Sequence, residues 1–233
     1  MKKILLAIAF MLPVLFSCSD DSLKTSETKE VVVGFNVNVP ALTKAGADET
    51  EIGDGKNVDI LYYEVWSDVN GEIGNKLSSG SVKRTQVKEF DLELKLLLDQ
   101  TYNILFWAQV DGKNVYDVSS LRKVTTDYSA AVGNDEDRAA FFAAEQVDIR
   151  EDLKPITVEL MRPFAQLNVG TSSLQSDMQD KDLVINGTKV TVTKPANCFD
   201  VYTGAGSYEG TYENGVFTAT GVPQNPGKFR IEN

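Results

Sequence analysis

The chain of 233 residues contains no histidine. That absence removes Ser-His-Asp and Cys-His nucleophilic systems, and every metal site that relies on imidazole. Cysteine is nearly absent too: Cys18 and Cys198 are the only two. If Cys18 has another use, Cys198 is left alone and burial must stabilise the fold without an intrachain disulfide. A lone Cys198 with no partner to activate it reads as a small core hydrophobe. Positive charge is also scarce, with 23 Lys and Arg against 34 Asp and Glu, a net charge of −11. Such an acidic surface repels nucleic-acid phosphates and anionic lipid, so no nucleic-acid partner is expected. No long amphipathic helical pattern occurs anywhere.

The only long apolar run is at the start. Lys2 and Lys3 precede a 13-residue apolar stretch, residues 4–16, interrupted by Pro13. A helix needs about 20 apolar residues to span a bilayer, so residues 1–17 read as a secretory signal peptide. Leu15-Phe16-Ser17-Cys18 resembles a bacterial lipobox, in which the cysteine is acylated and the chain is cut just before it. Ser19-Asp20-Asp21 resembles the acidic export tag of surface lipoproteins. The expectation is a lipoprotein lipidated at Cys18 and held on the outer face of the outer membrane by N-terminal acyl chains. Two or more acyl chains anchor firmly where one holds only marginally. Loss of Lys2 and Lys3 with the leader takes the mature net charge to −13.

Residues 18–30 are polar and acidic and read as a flexible tether. The run VVVGFNVNVP, residues 31–40, then alternates with period two: Val31, Val33, Phe35, Val37 and Val39 share one face. That is the pattern of a half-buried strand. VDILYYEVW (58–66) and VKEFDLELKL (87–96) read as further strands. TYNILFWAQV (101–110) is apolar on both faces, as a central strand should be. Asn70-Gly71, Asn186-Gly187 and Asn214-Gly215 are tight-turn signals. DRAAFFAAEQ (137–146) is ambiguous between a short helix and a covering loop. Arg162-Pro163 suggests a bulge or a crossing between sheets.

Many short strands separated by turn signals predict an all-β sandwich. The reading places an N-terminal β-sandwich domain at 31–172 and a smaller C-terminal β unit at 183–233. That unit reads as incomplete, because the chain stops on the strand-like KFRIEN.

The leader joins three other stretches: Pro40-Ala41-Leu42-Thr43-Lys44-Ala45, the aromatic strand 102–108, and RPFAQLNVGT at 162–171. Together they resemble the fimbrillin superfamily, the lipoprotein-type pilins of type V pili. The resemblance covers roughly residues 1–220, and 162–171 is its most specific part. It implies Greek-key sandwiches of the transthyretin-like type, export as a lipoprotein, and cleavage after a basic residue behind the first strand. By position, Lys44 is then the cut site and Ala45 the new N-terminus. The strand bearing Val31, Val33, Phe35, Val37 and Val39 is the one displaced, and a neighbouring pilin-like subunit refills the groove by β-strand addition. The other reading keeps residues 31–39 as a permanent core strand and Lys44 as a solvated loop lysine. Two features depart from the pilin pattern: Lys stands at the cut position where Arg is usual, and the sequence reads as ending before the C-terminal strands that the resemblance implies as donor.

Other constellations are weaker. Asp48-Glu49-Glu51-Asp54 and Asp135-Glu136-Asp137 could offer oxygen to calcium, but neither has EF-hand spacing, so both read as solvated acidic loops. No acid pair is marked out for glycoside hydrolysis. Tyr62, Tyr63, Trp66 and Trp107 admit a glycan-binding reading as well as a core reading, with Tyr62 and Trp66 on one strand face and Tyr63 on the other. No cofactor and no metal are expected. The functional expectation is a structural or adhesive surface subunit, not an enzyme. Its alternative is a surface glycan-binding lipoprotein that does not polymerise.

Overall fold

The structure, a computed structural model, describes residues 29–40, 54–128, 135–164, 166–170, 187–209, 214–220 and 228–232. Cys18, Lys44, Ala45 and the leader lie outside the described residues.

The alternating run at the start forms β1 (Glu30–Asn38). β2 (Ile60–Val69) and β3 (Glu72–Lys83) form a hairpin. Asn70 and Gly71 join them with φ of 58° and 88°, the left-handed pair that a type I′ turn requires. β4 (Glu89–Leu97) buries Phe90, Leu92, Leu94 and Leu96 and exposes Glu89, Asp91, Glu93 and Lys95. β5 (Thr101–Gln109) is buried along nearly its whole length because it lies between two strands and under two cores.

Two short strands follow, β6 (Tyr116–Asp117) and β7 (Val124–Thr126). The stretch 137–146, ambiguous in sequence, is a strand. A single 3-10 turn at Glu136–Arg138 leads into β8 (Ala140–Asp148). β9 (Ile156–Glu159) comes next.

Two sheets face each other, one ordered β4-β1-β9 and the other β3-β2-β5-β8. Non-consecutive neighbours mark crossing connections of the Greek-key kind, and the expected all-β sandwich is the observed class. The main core lies between the sheets and joins Val33, Phe35 and Val37 of the first to Leu61, Ile104, Phe106 and Phe141 of the second. The chain changes sheets just before the anticipated Arg162-Pro163. Leu160 still donates its N–H to the Asn38 carbonyl, whereas Met161 exchanges both backbone bonds with Phe142 at 2.8 Å.

The remaining strands are β10 (Gln166–Gly170), β11 (Gly187–Thr193), β12 (Cys198–Asp200), β13 (Ala205–Ser207), β14 (Asn214–Thr220) and β15 (Lys228–Glu232). β10 pairs with β15 and β11 with β14. Asn214-Gly215 is not a hairpin turn: both residues sit in β14, opposite Thr193 and Val192. Gly187 likewise opens β11 as a ladder residue.

β12 and β13 join a third sheet, ordered β13-β12-β7-β6, with Phe199 opposite Val124. A second core gathers Leu105, Trp107, Tyr116, Leu121, Phe142, Phe199 and Val201. Hydrogen bonding therefore ties residues near 200 to strands near 120, on the outer face of the β2-β5-β8 layer. Cys198 is buried there with a free thiol.

Glu145 is half-buried on β8, between core residues Ala143 and Val147 in the strand's period. Burial pushes its carboxyl above the usual carboxylate range. The fold thus favours the protonated acid. Its contribution is fully present below the ordinary Glu pKa of about 4.3 and is lost as pH rises through the higher folded value. Glu145→Gln is expected to raise the melting temperature at neutral pH and to change it little below about pH 4, read by thermal melts across pH.

Candidate functional site: β1 in its groove

β1 occupies the middle of its sheet. Antiparallel register with β4 runs from Glu30 opposite Leu97 to Asn38 opposite Glu89. Parallel register with β9 covers Phe35 opposite Ile156 to Asn38 opposite Glu159. The antiparallel ladder extends past both ends of the strand. Leu98 donates its N–H to the Lys29 carbonyl at 2.8 Å, and Val39 donates to the Lys88 carbonyl at 2.9 Å. Polar side chains tie the same ends: Lys29 pairs with Glu151, and Asn38 Nδ2 donates to Glu159 Oε1 at 3.0 Å.

The side chains follow the expected face. Val33, Phe35, Val37 and Val39 are 1%, 1%, 0% and 4% exposed, and half-buried Val31 packs on the same core. The Phe35 ring lies 5.9 Å from that of Phe106 in the opposite sheet. Val32, pointing outward, is 58% exposed. Full burial of an aliphatic or phenyl side chain gains about 1.5–3 kcal/mol, so these four contribute on the order of 10 kcal/mol before entropy is counted. Removing β1 would uncover that apolar trough and leave an unpaired strand edge on each side of it.

The chain returns to β1 after residue 53. Gly55 has φ of 70°, and a Cβ on it would stand 2.8 Å from Val39 and 2.9 Å from Phe141. Only glycine lets the backbone lie that close in that conformation. Residues 41–53, with Lys44 and Ala45 among them, span the gap and lie outside the described residues.

The other sequence candidates have structural partners. Asp135 caps the 3-10 turn through the Asp137 N–H and pairs with Arg138 at 3.5 Å, while Asp137 pairs with Lys113 at 2.8 Å. Among the described residues no three Asp, Glu or Cys side chains gather as a metal cluster. Trp107 is fully buried; half-buried Tyr62 and Trp66 pack on the second core and Tyr63 on the main one. The four aromatics form no single exposed platform.

Residues 24–228 match the model of DUF6562, a family of unknown function. The chain belongs to that family. No curated protein matches it. Among solved structures, a candidate adhesin from Bacteroides thetaiotaomicron has a TM-score of 0.55 at 13% identity, over 86% of this chain and 70% of that one. A fimbrial assembly protein from Parabacteroides distasonis gives 0.40 at 13% identity, over 87% of this chain and 86% of that one. A fimbrial anchor protein from Porphyromonas gingivalis gives 0.44 at 11% identity, over 87% and 74%. This DUF6562 chain thus shares its fold with the first of the three.

Sequence reasoning missed the buried polar groups of the DUF6562 chain, Glu64, Asn103, Gln109 and Arg138 among the described residues, and two of them are bound to a tryptophan. Glu64 is 3% exposed and is held by Lys76 Nζ at 3.1 Å and the Trp66 indole N–H at 3.0 Å. Gln109 is 5% exposed, and its Oε1 accepts the Trp107 indole N–H at 2.9 Å. The available signal was a tryptophan two residues from each, on the same strand face.

Proposed function

We propose that this protein is a cell-surface, fimbrillin-like subunit with a structural or adhesive role rather than a catalytic one. It is anchored in the outer membrane through acylated Cys18, matured by cleavage after Lys44, and joined to other pilin-like subunits by β-strand addition. The observation that carries the reading is the position of β1. A strand in the middle of its sheet, with four side chains sealed into the core, is a plug whose loss leaves a high-affinity groove. The fold shared with the candidate adhesin supports a surface role. Placement of Lys44 in the connection directly behind β1 supports release of the strand by one cut.

The test is the N-terminus of the protein recovered from the cell surface. Release of β1 predicts a chain beginning at Ala45. A chain that still begins at acylated Cys18 keeps β1 in place, and strand exchange through this groove is then abandoned.

A further inference from the structure

A second feature lies at one end of the sandwich, where β5 runs out into the loop before β6. An open cleft of about 560 Å³ is lined there by Tyr62, Gln109, Asp111, Asn114, Asp117 and Ser119, among others. Its floor is polar and fixed. The indole N–H of Trp107 can only donate, so the Gln109 carboxamide must turn its oxygen to the indole and its NH2 away from it. No described residue accepts a hydrogen bond from that NH2, and Gln109 lines the open cleft. A donor held in one direction on the wall of an open cleft is what a ligand's acceptor would meet.

The rim offers complementary groups. Asp117 accepts the Ser119 N–H at 2.9 Å and keeps acceptor capacity on its remaining lone pairs. That hydrogen bond holds its carboxyl below the usual range. Asp111, paired with Lys83, is likewise held low and ionised. Asn114 is exposed with φ of 49°, and its side chain has no partner among the described residues. Half-buried Tyr62 supplies an apolar ring beside these groups. A neighbouring cleft of about 620 Å³ shares Asn114 and Asp117, which lengthens the available surface.

We infer that this cleft binds a neutral oligosaccharide, with the Gln109 amide donating to a sugar oxygen at the floor. Vicinal hydroxyls both donate and accept, which suits planar carboxamides and carboxylates side by side. The C–H face of a pyranose suits a tyrosine ring. Two carboxylates on a chain of net charge −11 disfavour anionic ligands. The cleft opens on the sheet opposite to that of β1, so it does not depend on release of that strand.

The test uses the whole chain titrated with cello-, manno-, xylo- and maltohexaose, with oligogalacturonate and oligolysine as charged controls. Calorimetry reads affinity, and tryptophan fluorescence in a Trp66→Phe background, where Trp107 beside the floor is the emitter left, reports occupancy. At least one neutral probe is expected to bind. Asn114→Gly, which suits the left-handed backbone, should weaken it about fivefold with an unchanged melting temperature. Gln109→Glu keeps the acceptor for Trp107 and removes the donor, and should weaken binding by about tenfold or more. Binding of none of the four neutral probes, binding of a charged control alone, or equal affinity in both variants overturns the inference.

Discussion

Truncation of Phe35 to alanine is expected to lower the unfolding free energy by about 3–5 kcal/mol. The side chain is 1% exposed, sits in the central strand, and faces the Phe106 ring across the core. Its neighbours belong to two sheets held by long ladders, so the site cannot collapse around the void. Val32→Ala on the same strand is the control. That residue is 58% exposed, and the change should stay within about 0.5 kcal/mol. Urea titration with a constant m-value reads both. The same residue tests the proposed function. A chain beginning at Ala45, supplied with a peptide of residues 29–40, should bind it and regain the stability of the intact protein. The Phe35→Ala peptide should bind about 10²- to 10³-fold more weakly, because the lost burial appears directly in the affinity. A chain beginning at Ala45 that is stable without the peptide would mean the groove does not need a strand, and the assembly reading fails.

How much of this was legible in the sequence depended on how many faces each strand buries. β1 and β4 bury one face, so apolar and polar residues alternate and the strands are unmistakable. β5 buries both, and its continuous apolar run marked it as a central strand; in the structure it lies between β2 and β8. β3 lies at the sheet edge and is largely exposed; EIGNKLSSGSVK has too little apolar alternation to announce itself. β8 misled for the opposite reason. It touches both cores, with Ala143 in one and Ala140 in the other, and its alanines carry a helical propensity that tertiary packing overrides. Asn214-Gly215 shows that a turn dipeptide is only a local preference, since the ladder with β11 holds it extended. The apolar face of β1 was legible for the same reason as the strand. The cleft was not, because the role of Gln109 arises only when Trp107 fixes its amide and the following loop folds over it.

The third sheet leads to the other large effect: Phe199→Ala is expected to cost about 3–5 kcal/mol, and a chain stopped at residue 172 is expected to lose cooperative unfolding. Phe199 is 2% exposed and makes an edge-to-face contact with Phe142 at 4.7 Å. Phe164 and Trp107 lie at 5.8 and 6.0 Å. Val201 beside it is fully buried, and Arg122 clamps Asp200 through two bonds of 2.9 and 3.0 Å. These contacts belong to residues far along the chain, yet they cover Trp107 at the centre of β5. Without them the outer face of the β2-β5-β8 layer would open to water, and the Trp107 emission should shift to the red. A chain stopped after residue 209 retains β12 and β13 and should keep both the emission and the sharp transition. If the chain stopped at 172 melts as sharply and emits at the same wavelength, the first 172 residues close their own core, and β12 merely rests on it. If only the longer chain does so, the N-terminal sandwich is completed by a strand from beyond its apparent boundary. Loss of β1 on one side would then leave this second core standing as the rigid wall against which an incoming strand packs.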